Sequence, residues 1–143
     1  MPTYIPKIDD AQRKWFLIDA KDAILGKVAT KAAVLLSGKS KSVYTPFLDT
    51  GDHVVVINAA AVHLSGKKDS DKLYRRHSGY LGGLKTATAS QVRAKQPSRI
   101  IEEAVRGMLP KTKLGRAMAK KLRVYAGATH PHQAQKPQPI AIR

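Results

Sequence analysis

The sequence predicts a single α/β domain, and three observations carry that reading. A short apolar run, "KWFLIDA" (Lys14 to Ala20), has the length and composition of a buried strand. Ile24, Leu25, Val28, Ala29, Ala32, Ala33 and Leu36 then recur at helical spacing and share one face. A second apolar run, "HVVVINA" (His53 to Ala59), completes a strand–helix–strand order that favours a parallel pair with a right-handed crossover. At 143 residues, 43% of them hydrophobic, the chain is long enough to bury one core and too apolar for disorder throughout.

Each element follows in order. The first dozen residues, with Pro2 and Pro6, read as an extended arm (1–13) ahead of an α/β core (14–127). Asp22 is placed to cap the first helix, Lys27 and Lys31 fall outside its apolar face, and Ser37–Gly38 close it before the basic loop "GKSKS". A short strand is expected around Val62 to Leu64, then a turn at "SGKKDSD", then a strand "KLYRR" (Lys72 to Arg76) paired back on the one before it. The following Gly-rich loop carries little structural signal. Pro97 and Ser98 open a second helix whose apolar face is Ile100, Ile101, Ala104, Val105 and Met108. Glu102 and Glu103 fall early in that helix, where its dipole favours acids, and Pro110 ends it. "KLGRAMAKKL" (Lys113 to Leu122) reads as a third, basic helix, and "RVYAG" (Arg123 to Gly127) as a strand. The tail (128–143) has three prolines and no helical period, so it is expected to be extended. There is no internal repeat.

Charge is the strongest compositional signal. Twenty-six Lys and Arg against ten Asp and Glu leave a formal net charge of +16. The placement sharpens it. Between Asp71 and Glu102 there are seven basic residues and no acid; after Glu103 there are nine basic residues and again no acid. A merely solubilising surface mixes both signs. Segregated cations favour a polyanionic partner. No apolar run approaches the ~18 residues a membrane-spanning helix needs. The start has no signal pattern, and the absence of cysteine excludes disulfides and thiolate metal sites, so the chain reads as cytoplasmic.

The Gly-rich stretch "YRRHSGYLGGLK" (Tyr74 to Lys85) asks for phosphate, but not as a nucleotide enzyme would hold it. Gly79, Gly82 and Gly83 do not have the G-x-x-x-x-G-K-[ST] spacing of a phosphate loop, and "LGK" (Leu25 to Lys27) is no dinucleotide fingerprint. His77 beside Ser78 lacks the separation and third group of a hydrolytic triad, and no nucleophile elbow is present. "HPH" (His130 to His132) has no carboxylate or thiolate nearby to complete a metal site and suits hydrogen bonding or base stacking. His53 and His63 lie in or beside apolar runs and read as structural. Asp49 and Asp52 flank Thr50–Gly51, which is turn chemistry. No catalytic residue, metal or cofactor is expected. A nucleotide-dependent enzyme and a nonspecific DNA-binding protein are the rival readings; charge alone does not separate DNA from RNA.

Read in order, "WFLIDAKDAILGKVAT", "YTPFLDTGDHVVVINA", "LSGKKDSDKLYRRHSGYLGG", "AVRGMLPKTKLGRAMAKKLRVYAG" and "HPHQAQKP" resemble the bacterial large-subunit ribosomal protein thirteen family. The resemblance covers residues 14 to 137. "VRGMLPKTKLGR" (Val105 to Arg116) followed by "LRVYAG" (Leu122 to Gly127) is close to the family's signature. Two positions depart from it: Leu81 stands where the family usually has Pro, and Lys27 where Arg is more common, which exchanges a bidentate donor for a point charge.

The resemblance implies a mostly parallel sheet of about four strands flanked by helices, with extended basic terminal segments. It also implies a partner, large-subunit ribosomal RNA, with neighbouring ribosomal proteins beside it, and a role in subunit assembly with no small-molecule substrate and no membrane. The residues expected to hold RNA are Arg75, Arg76, His77, Ser78, Tyr80 and Lys85 of the loop, with Gly79, Gly82 and Gly83 letting backbone amides approach phosphate or 2′-hydroxyl groups. Lys111, Lys113, Arg116, Lys120 and Lys121 form a second basic face, on a helix that buries Leu114, Met118 and Leu122. Lys39 and Lys41, Lys67 and Lys68, and His130 and His132 complete the expected contacts.

Overall fold

A computed structural model describes residues 4–7 and 12–142. The order is β1 (Trp15–Asp19), α1 (Leu25–Ser37), β2 (His53–Ile57), a 3-10 turn (Ala59–Ala61), α2 (Lys68–Asp71), β3 (Leu73–His77), β4 (Leu84–Thr88), α3 (Ala89–Lys95), α4 (Pro97–Met108), α5 (Lys113–Ala119), β5 (Leu122–Val124) and β6 (Gln138–Ile140). Four strands form one sheet in the order β5-β2-β1-β6, and every neighbouring pair is parallel.

Strand alternation divides the sheet into two faces. Phe16, Ile18, Val54, Val56, Leu122, Val124 and Ile140 share one face and join the main core with Val28, Ala32 and Leu36 of α1 and Ile100, Ile101 and Val105 of α4. Each fully buried Val or Ile here is worth roughly 1.5–3 kcal/mol over leaving it in water. Leu17, Val55 and Arg123 face the other way, in register with one another and with Pro139. Trp15 and His53 share that second face, their rings stacked 4.4 Å apart between centroids. His132 of the tail lies 5.1 Å from Trp15 and bonds Tyr125 Oη through Nε2 at 2.7 Å. The tail thus roofs the sheet's second face before adding β6 to its edge.

Several expectations are corrected. Asp22 does not cap α1: it has φ 55°, and Ile24 occupies the cap position with no side-chain bond. The helix closes as read, with Gly38 at φ 80°. Ile24, placed on the buried face, is exposed, because it precedes the first full turn. The segment near Val62 makes only a single bridge, Ile24 with His63. "KLYRR" pairs instead with β4, which the sequence did not suggest, to form an antiparallel hairpin apart from the main sheet. A helix before Pro97 also went unread. Its α3 starts at a capping box in which Thr88 Oγ1 accepts from Gln91 N and Gln91 Oε1 accepts from Thr88 N. Glu102 and Glu103 lie beyond the first turn of α4, where Glu103 pairs with Arg99 one turn back. The third helix stops at Ala119, and Leu122 reaches the core as the first residue of β5.

Candidate nucleic-acid interface

The hairpin's register decides what its basic residues face. Arg76 lies opposite Lys85, and Arg75 lies opposite Thr86. Successive strand residues point to opposite faces, so Arg76 and Lys85 share the face of buried Tyr74, whereas Arg75 and His77 point the other way. Arg75 and Arg76 therefore do not form one patch; the hairpin is basic on both faces. A directly opposed pair of like charges is unfavourable in the free protein. An anion between Arg76 and Lys85 would relieve it.

The Gly-rich loop is a structured turn. Gly79 and Gly82 have φ of 90° and 70°, open to glycine at no steric cost. Ser78 N donates to Gly83 O, Gly83 N to Tyr80 O and Gly79 N to His77 Nδ1. The N–H groups of Gly79 and Gly83 themselves hold the turn. A Cβ on Gly83 would collide with Ser78 Oγ and with Tyr80 O, so that glycine serves close packing. What the turn presents outward is Tyr80, 80% exposed, and Leu81, fully exposed.

The second basic region surrounds the turn from α4 to α5. Lys111 Nζ donates to Arg106 O at 2.8 Å and Gly107 O at 3.3 Å, placing a cation on the carbonyl end of α4. Thr112 caps α5 by accepting from Gly115 N at 3.2 Å. Between the two helices lies a groove of about 540 Å³ lined by Arg106, Leu109, Pro110, Lys111, Gly115, Arg116, Ala119 and Lys120. A smaller hollow of about 340 Å³ shares Arg106, Ala119 and Lys120 and adds Glu102, Leu122 and Arg123. Arg106 and Arg123 were absent from the expected site. Their signal was the acid-free run after Glu103, which counts them but does not show that the fold gathers them beside Arg116 and Lys120.

Lys121 corrects that second basic face. Its side chain is only 7% exposed, and its Nζ lies 2.5 Å from Asp49 Oδ1 and 3.4 Å from Leu36 O. Burial lowers its pKa below the ordinary lysine value, and the bond to Asp49 acts the other way. Lys41 is likewise engaged: Nζ is 2.6 Å from Asp52 Oδ1, a carboxylate 1% exposed, and donates to Thr50 O at 3.0 Å. The Asp49–Asp52 turn is therefore an ion-pair knot holding two lysines inward. His132 is also engaged, bonded to Tyr125 on the sheet's second face, while His130 Nδ1 accepts from His132 N at 3.2 Å. The hydrogen-bonding reading of "HPH" describes both. His53 is structural as read, and its pKa is lowered by burial and then by the nearby charges of Lys121 and Arg13.

The remaining expected residues stay outward. Lys39, Lys67, Lys68, Lys113, Arg116 and Lys120 are exposed, with Lys68 Nζ reaching Ser65 Oγ at 3.2 Å. Arg75, Arg76, Lys85, Arg106, Lys113, Arg116, Lys120 and Arg123 form no ion pair among the described residues. Four acids are paired away from these cations: Asp49 and Asp52 in the knot, Asp69 with Arg93, and Glu103 with Arg99. Nor is there a cluster of metal-ligating side chains among the described residues. No helix among them is long and apolar enough to cross a membrane.

Comparison with known proteins agrees with this layout. The family model described as "Ribosomal protein L13" matches residues 13–131. The chain is 56% identical over 142 residues to the "Large ribosomal subunit protein uL13" of Methylacidiphilum infernorum, covering 99% of each chain. It is 57% identical over 140 residues to the protein of that name from Thermosynechococcus vestitus, covering 98% of this chain and 92% of the relative. With that of Solibacter usitatus it shares 52% identity over 143 residues, the full length of both. The signature that packs α5 against the end of α4, the parallel sheet and the basic hairpin are thus those of a chain that belongs to the ribosomal protein L13 family.

Proposed function

We propose that this chain is a structural, non-catalytic constituent of the large ribosomal subunit that holds large-subunit ribosomal RNA and supports subunit assembly in translation. The observation that carries the reading is the sorting of charge. Asp49 and Asp52 are folded inward against Lys121 and Lys41, and Asp69 and Glu103 are paired with Arg93 and Arg99, while cations without an ion pair among the described residues remain on the hairpin and around the α4–α5 groove. Phosphate contacts of this kind position a protein on RNA through charge and shape. The residues that hold RNA are Arg75, Arg76, Lys85 and Tyr80 of the hairpin, Arg106, Lys113, Arg116, Lys120 and Arg123 of the second region, and Lys39, Lys67 and Lys68 of the loops. The sheet and helices act as scaffold, and the whole chain works as one RNA-binding unit. Neighbouring ribosomal proteins meet surfaces that RNA leaves uncovered.

Sedimentation of a cell lysate tests this directly. The protein should travel at near-stoichiometric amounts with large-subunit and whole-ribosome fractions and stay there in high salt. Recovery of the protein only at the top of the gradient would overturn the reading. Footprinting of the subunit RNA with and without the protein would then show protection opposite the hairpin and the groove.

A further inference from the structure

The groove between α4 and α5 has a shape that phosphate binding alone does not require. A duplex backbone is held well enough by cations on a convex or flat surface. Here the surface is concave and its floor is apolar. Leu109 is buried against the core, Pro110 follows it, and Ala119 closes the opposite wall. The helices can approach this closely because position 115 has no side chain; a Cβ there would lie 1.9 Å from Pro110 O. Cations stand on both rims: Arg106 from α4, and opposite it Arg116 of α5 with Lys120, four residues on, at that helix's C-terminal cap. None of the three has an ion-pair partner among the described residues. A volume of about 540 Å³ falls in the range of small-ligand pockets and exceeds what a bare phosphate fills.

Resting on the RNA-holding reading above, we infer that this groove seats one unpaired nucleotide of the bound RNA, its base against Leu109, Pro110 and Ala119 and its phosphates on Arg106, Arg116 and Lys120. Unstacked bases are what proteins read most readily in RNA, and a guanidinium plane can cover a base where no aromatic ring is present. The apolar floor turns a general phosphate contact into a preference for a bulged or looped residue over a continuous helix.

The test uses the full-length chain, isotope-labelled for NMR and titrated with adenosine 5′-monophosphate, uridine 5′-monophosphate, ribose 5-phosphate and inorganic phosphate. The expected result is that both nucleotides shift the amides of Gly115 and Ala119 and bind about tenfold more tightly than ribose 5-phosphate. Arg116→Ala should weaken all four ligands together. Ala119→Met, which fills the floor, should bring the nucleotides down to the affinity of ribose 5-phosphate. Equal affinity for nucleotides, ribose 5-phosphate and phosphate would overturn the base seat, as would shifts confined to the hairpin or no binding at all. The wild-type ligand series decides this even if Ala119→Met does not fold. Binding of the same protein to a ribosomal RNA fragment is measured in parallel. Tight RNA binding with no base preference in the groove defeats this inference alone, whereas loss of RNA binding defeats the functional reading.

Discussion

Lys121 Nζ and Asp49 Oδ1 lie 2.5 Å apart, and this contact joins the segment between α5 and β5 to the loop that enters β2. The lysine comes from the basic run between the two signature segments, yet its charge is turned inward onto Asp49. Removing one member of a buried pair strands the other in a poorly hydrated site. Asp49 retains some exposure and a second cation, Arg13 at 3.8 Å, which moderates the loss. Lys121→Ala should therefore destabilise the fold by about 2–4 kcal/mol, read from chemical denaturation. Lys120→Ala, next door but exposed, should change stability by less than about 0.5 kcal/mol while weakening RNA binding. Equal effects of the two substitutions on stability would contradict the assignment.

His53 makes the fold sensitive to acid. Burial against Trp15, with Lys121 and Arg13 nearby, holds its folded-state pKa below 6.5. The unfolded chain then binds more protons than the folded one between the lowered value and 6.5, so stability rises with pH across that window and falls as the pH drops through it. His53→Phe keeps the stack on Trp15 and removes the titration. Denaturation midpoints measured across this window should fall on acidification in the wild type and fall less in the variant. Parallel curves would show that His53 is not the source of the slope.

Arg76 and Lys85, opposed across the hairpin, should affect stability and binding in opposite directions. Replacing both with Ala removes a like-charge pair and should leave stability unchanged or raise it by a few tenths of a kcal/mol. The same change should weaken binding to a ribosomal RNA fragment and reduce the slope of log affinity against log salt by roughly 1.5–2 units. Arg75→Ala, acting from the other face, should reduce it by roughly 1 more, with additive effects. An unchanged slope in a folded double variant would remove these residues from the interface.

Gly115 is required by packing rather than by backbone conformation. An added Cβ would meet the backbone oxygen of Pro110 at 1.9 Å, where no flexible side chain can swing aside. Gly115→Ala should cost about 2–4 kcal/mol or prevent folding. Gly107→Ala, where a Cβ meets nothing within 4 Å, should be neutral or slightly stabilising because alanine is the better helix former. Thermal melts of the two variants side by side would check the contrast; similar melting temperatures would show that α5 can move away from Pro110.

Local pattern carried much of the architecture. The apolar runs at β1 and β2, the helical face of α1, its Gly38 stop and the Pro97 start of α4 each follow from interactions within a few residues. The capping box at Thr88 and Gln91 went unread, because the "TATAS" stretch that contains Thr88 suits a strand and β4 and α3 abut there without a loop. β6 was hidden for a different reason. Prolines at 137 and 139 argue against a strand by propensity, and only an edge position, bonded to β1 on one side, tolerates them.

The sequence by itself determined the α/β class, the excess of cations and the stretches in which they concentrate, because composition and short-range periodicity are properties of the chain alone. Which cations remain outward was decided only by the tertiary structure. Lys120 and Lys121 are adjacent and chemically identical; one rims a groove and the other is buried on Asp49, a residue 72 positions away. Arg75 and Arg76 are likewise adjacent and identical, and the hairpin pairing sends them to opposite faces. Long-range pairing sets register and burial, and these in turn set which charges water and a partner can reach.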